Sequence, residues 1–182
     1  MDISLLRCIG LESFISIDVE ATGLDIEKDR IIEISACKYI NGELKDTFTN
    51  LINPNLTISS FISRLTGITN KQLLNKPAFA DISSDFIKFI QNQPLVGHNI
   101  NFDLNFINKE LNGKYDIFNH RYISDTYYLS KIFLFFHESF KLSSLCENFN
   151  IDVGTIHRAE QDAQNTAKLF LNILNIIIKV DI

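Results

Sequence analysis

Apolar blocks alternate with turn-forming residues in the first third of the chain, and this pattern predicts a sheet. Residues 14–19 are mostly β-branched or aromatic and the run ends at Thr22-Gly23, so we predict a short buried strand. The Ile-rich run over residues 30–39 predicts a second strand. Because the charged loop between them is too short for a crossover helix, the two strands should be antiparallel.

A hairpin should follow the second strand. Asn41-Gly42 is typical of a two-residue turn, since both positions must adopt positive φ values. It predicts a third strand over residues 43–51. Lys45 and Asp46 in that strand suit an exposed sheet edge. The first three strands therefore form an antiparallel meander.

Helical spacing of the apolar residues dominates the rest of the chain. Gly67 is suited to end one helix, and Thr69 or Asn70 to cap the next. Residues 94–97 predict a brief fourth strand, and residues 123–126 end a predicted fifth strand, with a helix between them as in a parallel crossover. Five further helices are predicted. One follows Pro77, one follows a cap at Asn99 or Asn101, two cover residues 127–136 and 141–148, and the last ends the chain. The helix after Pro77 has the apolar face Phe79, Ile82, Phe86, Phe89 and Ile90, and the last helix has the apolar stripe Ala163, Ala167, Phe170, Leu174 and Ile177.

Composition limits the class of protein. The 182 residues are 46% hydrophobic, which is enough for one core, so we predict a single domain over residues 1–182. No apolar run reaches the length of a bilayer span and no signal-peptide pattern is present, so we expect no membrane partner. The isolated Cys8, Cys37 and Cys146 are typical of reduced thiols in a cytoplasmic protein. A net charge of −5 predicts no broad basic face for duplex nucleic acid.

Two acidic residues at the end of the first strand suggest chemistry. Asp18 and Glu20 are two residues apart, so their side chains point to the same face of the sheet. Two carboxylates in one site resist joint ionisation unless a cation compensates. On a solvated strand the pair would mean nothing, but its place after a buried run predicts a metal site.

Further acidic residues and histidines lie in two later segments. Asp103 should lie over the apolar face of its helix, although an Asp in the first turn also favours the helix dipole. His157 and Asp162 are five residues apart, so they would not share a helix face. They converge only if His157 lies on the preceding loop. His98 taken alone favours a structural histidine, and His120 and His137 are assigned to surface or core.

Three segments together resemble the exonuclease motifs of the DnaQ-like family, in its branch with four acidic residues and one histidine. They are Asp18-x-Glu20-Ala21-Thr22-Gly23-Leu24, His98-Asn99-x-x-Phe102-Asp103 and His157-Arg158-Ala159-x-x-Asp162. The resemblance covers residues 13–172. The segments between the motifs are similar to the proofreading ε subunit of bacterial DNA polymerase III, although Ala21 stands where ε subunits usually carry Thr.

The resemblance implies an RNase H-like α/β fold, a mixed five-stranded sheet with helices on both faces, which agrees with the meander and crossover above. It implies hydrolysis at a 3′ end with two Mg²⁺ or Mn²⁺ ions, about 3.5–4 Å apart in such sites, whereas Zn²⁺ would be unusual for oxygen ligands. Asp18 is implied to bridge the ions, Glu20 and Asp162 to hold one, Asp103 to hold the other, and His157 to act as general base. The residues implied to bind the terminal nucleotide are Ala21, Thr22, Gly23, Leu24, His98, Asn99 and Phe102.

The expected substrate is a single-stranded or frayed 3′ end of DNA, with a DNA polymerase subunit as a candidate partner. An RNA exonuclease of the oligoribonuclease or RNase T kind is the alternative, although the segment 65–69 favours DNA. A non-catalytic interaction subunit is the third possibility. The presence of all four acidic residues and the histidine argues against it.

Overall fold

The computed structural model describes residues 3–120, 122–155 and 157–180, apart from the side chains of residues 3–5 and 178–180. The ends of the predicted domain, residues 1–2 and 181–182, lie outside this range. The strands are β1 (Ser13–Ala21), β2 (Ile31–Ile40), β3 (Glu43–Leu51), β4 (Leu95–Gly97) and β5 (Ile123–Asp125). The helices are α1 (Ile3–Cys8), α2 (Ser60–Thr66), α3 (Asn70–Leu73), α4 (Phe79–Ile90), α5 (Asn101–Leu111), α6 (Thr126–Phe133), α7 (Leu142–Asn148) and α8 (Ala159–Val180), with a 3₁₀ turn at Ile117–Asn119.

The five strands form one mixed sheet in the order β3-β2-β1-β4-β5. β1, β2 and β3 pair antiparallel, and β1, β4 and β5 pair parallel. Asn41 and Gly42 adopt φ values of 53° and 79°, as the hairpin requires. β3 lies at the sheet edge with Lys45 and Asp46 exposed. These observations confirm the predicted meander, crossover and edge strand.

β1 lies at the centre of the sheet and divides the core into two layers. Its odd-numbered residues from Ile15 to Ala21 pack with residues of α4 and α5. Phe14, on the other face, packs against Ala167 and Phe170 of α8. Because strand residues alternate between faces, Asp18 and Glu20 continue the side of the sheet that α8 covers. This arrangement confirms helices on both faces and fixes the direction of both carboxylates.

The predicted helix boundaries are confirmed in part. Gly67 ends α2 with φ 70°, and the Thr69 side chain caps α3. The capping role predicted for Asn99 or Asn101 is wrong, because Ile100 occupies the cap position and no side chain caps α5. Asn99 instead adopts φ 58° and donates its N–H to Asp125 Oδ1 at 2.9 Å, so its backbone turns toward β5 before the helix begins.

The later helices differ slightly from prediction. α6 ends at Phe133, three residues early, because Leu134 leaves the helical conformation with φ −122°. α8 buries more than one stripe, since Leu169 and Ile173 pack with residues of the α6–α7 region while Ala163 and Ala167 face the sheet. His120 is buried, with its ring nitrogens bonded to Tyr115 and the Gln93 carbonyl. Within the described residues, no helix has the length and apolar character needed to cross a membrane.

Candidate active site

The three predicted motifs meet at the carboxyl end of β1. Asp18 and Glu20 come from β1, Asp103 from the first turn of α5, and Asp162 from the first turn of α8. Burial raises the pKa of Asp18 well above its usual value, and the nearby charges of Asp103, Asp162 and Glu20 raise it further. The four carboxylates therefore share one electrostatic environment, as the family resemblance implied.

Asp103 occupies a gap in the sheet. The pairing of β1 with β4 ends at Ser16–Val96, so β1 runs on beyond its neighbour. The Val19 N–H donates to Asp103 Oδ1 at 2.9 Å, and Asp103 is only 4% exposed. A buried N–H without an acceptor is costly, so the carboxylate replaces the missing strand partner. This contact goes beyond the helix-dipole alternative and holds Asp103 beside Asp18.

His157 lies on the loop before α8, as the five-residue separation required. Its φ is 58°, and its N–H donates to Asp162 Oδ2 at 3.0 Å. One potential ligand atom each from Glu20, His157 and Asp162 lies within 4.8 Å of the others. Asp18 and Asp103 are outside this group of ligand atoms in the described part of the chain. The exposed imidazole is therefore directed at the carboxylates of Glu20 and Asp162.

The carboxyl groups are poorly compensated by the protein itself. Burial, followed by the charge of Asp162, raises the pKa of Glu20 to about 8. Burial also raises the pKa of Asp103 to about 8, although the Val19 N–H opposes the shift. The pKa of Asp162 is raised by burial as well. The four carboxyl groups cannot all ionise easily in one site unless a cation compensates their charge. Their oxygen atoms are the ligands that fit hard divalent cations such as Mg²⁺ or Mn²⁺.

Glu33 is a fifth carboxylate near the cluster, and the sequence analysis missed it. It lies opposite Glu20 in the β1–β2 pairing and is 1% exposed. Arg158 donates to its two oxygens at 3.1 and 2.7 Å, and the Ala159 N–H donates at 3.0 Å. A Glu inside the apolar run of residues 31–34 was the signal that could have identified it, since a buried carboxylate needs a partner.

The loop after β1 is held by Asp29, a second residue that sequence reasoning missed. The Thr22 hydroxyl donates to Asp29 Oδ1 at 2.7 Å, and the Asp25 N–H donates to Asp29 Oδ2 at 2.9 Å. A Cβ at Gly23 would overlap the Asp29 carboxylate. Gly23 is therefore required by this close approach, and Asp29 fixes the backbone of Thr22 and Gly23 beside Glu20.

An apolar pocket of about 450 Å³ opens next to Glu20. Leu24 is 85% exposed at its rim and Phe61 is 63% exposed, so both side chains are available to a ligand. Phe102, half-buried, stacks near Phe106 with ring centroids 4.9 Å apart. The sequence predicted Leu24 and Phe102 here but not Phe61 or Leu65. The lining residues are Val19, Glu20, Ala21, Thr22, Gly23, Leu24, Ser59, Phe61, Ile62, Leu65 and Phe102.

A larger open trough of about 1050 Å³ begins at His157 and Asp162. The apolar pocket and this trough are thus contiguous with the same cluster of ligand atoms. A separate cleft of about 390 Å³, beside Arg30 and Lys109, is lined by none of the predicted site residues. The trough is lined by His98, Asn99, Tyr127, Tyr128, Glu138, Ser139, Phe140, Lys141, Leu142, Ser143, His157 and Asp162.

His98 and Asn99 take different positions at this trough. The His98 ring nitrogens lie 2.9 Å from the Thr126 hydroxyl and 3.0 Å from the Phe140 carbonyl oxygen. Because a carbonyl only accepts, Nε2 carries the proton that bonds Phe140, while Nδ1 faces the Thr126 hydroxyl, which itself donates to the Gly97 carbonyl at 3.1 Å. Burial lowers the pKa of His98, consistent with a neutral ring. His98 therefore ties elements together, as a structural histidine does, whereas the Asn99 side chain is exposed to the trough.

Comparison with known proteins identifies the family. The model of the RNase T exonuclease family matches residues 15–170. The chain belongs to this exonuclease family. The matched range contains all three motifs and every side chain of the cluster described above.

Relatives of the exonuclease family include whole subunits and parts of larger enzymes. DNA polymerase III subunit epsilon of Treponema pallidum is 37% identical over 165 residues, covering 89% of this chain and 76% of that protein. The PolC-type DNA polymerase III of Caldanaerobacter subterraneus is 37% identical over 161 residues, which is 88% of this chain. The chain spans 11% of that polymerase and 18% of the 3′-5′ exonuclease DinG of Staphylococcus epidermidis.

A solved structure supports the fold of this exonuclease. The nuclease domain of 3′hExo, a DEDDh family member bound to rAMP, superposes with a TM-score of 0.76 at 24% identity. The superposition covers 90% of this chain and 92% of that domain. At this identity the likeness establishes the architecture, and it confirms the predicted RNase H-like sheet with helices on both faces.

Proposed function

We propose that this exonuclease removes nucleotides one at a time from the 3′ end of DNA and releases nucleoside 5′-monophosphates. The observation that carries the proposal is the convergence of Glu20, His157 and Asp162 within 4.8 Å, beside an apolar pocket of about 450 Å³. Asp18 and Asp103 extend the same acidic cluster. A terminal nucleotide in the pocket would bring its phosphodiester to the carboxylates.

The acidic residues would hold two divalent cations, Mg²⁺ or Mn²⁺. The oxygen ligands would come from Asp18, Glu20, Asp103 and Asp162. The raised pKa values of Glu20 and Asp103 apply to the cluster when no cation is bound. When bound, such ions supply an activated water and stabilise charge on the attacking and leaving oxygens. They also neutralise the phosphate, which a chain of net charge −5 needs.

His157 is the proposed general base. Its imidazole is exposed, and one ring nitrogen lies within 4.8 Å of carboxylate oxygens of Glu20 and Asp162. One ring nitrogen would take the proton from the attacking water, a role worth about 10²–10⁴-fold in rate. The backbone bond from His157 to Asp162 keeps the base near the cluster.

Substrate recognition is assigned to the pocket. The backbone of Ala21, Thr22 and Gly23, which Asp29 holds in place, would bind the terminal sugar and its free 3′ hydroxyl. Leu24 and Phe102 would contact the terminal base, since apolar and aromatic side chains bind bases by stacking with little sequence preference. Phe61 and Leu65, which also line the pocket, add to this apolar surface.

Cellular context completes the proposal. The similarity to epsilon subunits supports proofreading or repair, with a DNA polymerase subunit as partner. Cys8, Cys37 and Cys146 are free thiols, which supports a reducing, cytoplasmic location.

The decisive experiment follows cleavage of 5′-labelled oligonucleotides by the wild-type protein and by Asp18→Asn. We expect stepwise shortening of single-stranded DNA, release of 5′-monophosphates, faster removal of a mismatched primer end, and slow reaction of a 3′-phosphate end. Matched RNA oligonucleotides measure the preference for DNA. Internal cuts in a circular single strand, or equal activity of Asp18→Asn, would rule out the proposal.

A further inference from the structure

We propose that the trough leading away from His157 and Asp162 binds the nucleotides on the 5′ side of the cleaved bond, as single-stranded nucleic acid. This inference rests on the proposed exonuclease function and extends it to a second binding site. The trough is contiguous with the cluster on the side of His157 and Asp162, whereas the pocket for the terminal base opens at Glu20. A strand cleaved at the cluster would therefore extend into the trough.

Aromatic side chains give the trough a surface suited to bases. Tyr128 is 53% exposed and its ring lies 5.4 Å from that of Tyr127, at 77°. The Tyr127 ring is already engaged by Lys131, whose Nζ lies 4.4 Å from the ring centroid, and by the edge of His98. Tyr128 is thus the ring with an open face. Stacking on an open aromatic ring is the usual way in which proteins bind single strands without reading sequence.

Charge and hydrogen-bonding groups on the rim match a phosphate backbone. Lys141 and Asn99 line the trough and both are exposed. Lys131 is also exposed beside Tyr127. Glu138 is an acidic member of the same lining, so the trough is mixed in charge rather than strongly basic. Binding is therefore expected to depend on stacking first and on phosphate contacts second.

Hydrogen bonds hold the backbone that forms the trough. His98 joins the end of β4 to Thr126 at the start of α6 and to Phe140 before α7, at 2.9 and 3.0 Å. Asp125 Oδ1 accepts the N–H groups of Asn99 and Tyr127, each at 2.9 Å. These bonds fix the backbone on which Tyr128 is carried. A rigid platform loses less entropy when a strand binds than a mobile one does.

The test compares Tyr128→Ala with Tyr128→Phe and with Phe135→Ala. Phe135 is 76% exposed just after the end of α6 but is not among the trough-lining residues of the described structure, so it controls for loss of an exposed aromatic. Binding of a long 5′-fluorescein oligothymidylate is measured by anisotropy in Ca²⁺, which replaces the catalytic metal. The ratio of kcat/KM for the long oligomer to that for a dinucleotide is measured in Mg²⁺.

We expect Tyr128→Ala to weaken binding of the long oligomer and to lower the ratio, each by about 5- to 150-fold, the range for one lost stacking contact. Tyr128→Phe should retain both, because the ring remains. 2-Aminopurine placed third from the 3′ end should be quenched on binding to the wild type and less so on binding to Tyr128→Ala. Lys141→Ala should reduce the salt dependence of binding.

The inference is overturned if Tyr128→Ala behaves like Phe135→Ala, if its loss is equal for the dinucleotide and the long oligomer, or if the wild type does not bind the oligomer in Ca²⁺. Failure of the proposed function looks different. In that case the wild type would bind the strand, with dependence on Tyr128, but would release no nucleotides in Mg²⁺ or Mn²⁺.

Discussion

Arg158 donates to both carboxylate oxygens of Glu33, at 2.7 and 3.1 Å, and so connects the residue after His157 to β2. The Glu33 side chain is 1% exposed, whereas that of Arg158 is 42% exposed. The Ala159 N–H, at the first residue of α8, donates to the same carboxylate. The ion pair therefore fixes the backbone on either side of the point where the His157 loop becomes α8.

Removing Arg158 should lower both the stability of the protein and its catalytic rate. Arg158→Ala leaves Glu33 buried beside the acidic cluster, and we expect a loss of about 2–3 kcal/mol, below the range for a fully buried pair because the arginine is partly exposed. Arg158→Lys keeps the charge but loses the two-point contact, so it should recover only part of the stability. Urea unfolding and kcat measure the two effects.

A control for that experiment is Arg7→Ala, which breaks an exposed pair with Glu12 and should change stability by less than about 1 kcal/mol. If Arg158→Ala is no more destabilising than Arg7→Ala, the Glu33–Arg158 pair does not hold the loop.

Metal dependence follows from the four carboxylates. Excess chelator should abolish hydrolysis, and Mg²⁺ or Mn²⁺ should restore it. Asp18→Asn should be inactive, yet without metal it should melt at the same temperature as the wild type or a few degrees higher, because it relieves repulsion among buried carboxylates. Thermal unfolding with and without metal checks this, and robust activity in excess chelator would contradict it.

The stability of the metal-free protein should fall as pH rises. The pKa values of Glu20 and Asp103 are about 8 in the folded protein, far above those of free carboxyls at about 4. Between these values the folded state binds more protons than the unfolded state, so the free energy of unfolding decreases with pH and levels off above about pH 8.

We expect the melting temperature of the metal-free protein to drop by at least about 3 °C between pH 5 and 8.5. Mn²⁺ should raise the melting temperature more at pH 8.5 than at pH 6, since the ligands must lose their protons to bind it. A melting temperature that rises across this range would contradict the assignment of these two carboxyls.

His157→Ala separates the role of base from the role of ligand. We expect kcat to fall by about 10²–10⁴-fold, the usual effect of losing a positioned base, while metal affinity is retained. However, a ring nitrogen of His157 lies within 4.8 Å of carboxylate oxygens of Glu20 and Asp162, close enough for the three side chains to share one metal ion. Single-turnover rates and Mn²⁺ titrations decide between the roles. Loss of metal as complete as in Asp18→Asn would make His157 a ligand.

Gly23→Ala tests the loop that should bind the terminal nucleotide. The added methyl would overlap the Asp29 carboxylate, so we expect a stability loss of about 1–3 kcal/mol and a higher KM. The double variant Gly23→Ala/Asp29→Ala removes the overlap and should recover part of the stability. Asp29→Ala is the matched control, because it removes the carboxylate that the added methyl would overlap. If Gly23→Ala costs as much stability in the Asp29→Ala background as in the wild type, the Asp29 contact is excluded as the cause.

Local patterns were sufficient to predict most of the fold. Asn41-Gly42 fixed the hairpin, and the alternation of β1 placed Asp18 and Glu20 on one face. The cap of α5 was predicted wrongly because the local preference of Asn for a cap was overridden by a contact of Asn99 with Asp125, 26 positions away. Local preferences compete with long-range contacts, and only the local ones are visible in the sequence.

Part of the site could not be predicted for the same reason. Glu33 and Arg158 are separated by 125 positions, and no local pattern joins them. Phe61 resembles any other aromatic residue of an amphipathic helix until the fold brings α2 opposite Leu24. The motif residues were predictable because the resemblance supplied their joint role, whereas their supporting residues Glu33 and Asp29 lie outside the motifs.

Asp103 performs two tasks, and this affects how related sequences should be compared. Its carboxylate completes the hydrogen bonding of β1 at Val19, so its replacement by an apolar residue would leave a buried N–H without an acceptor. A descendant of this protein that had lost catalysis would still be under pressure to keep an acceptor at position 103. Retention of Asp or Asn there is thus a weak indicator of activity. Asp18 is the better diagnostic position, because its side chain accepts no backbone hydrogen bond from the described residues.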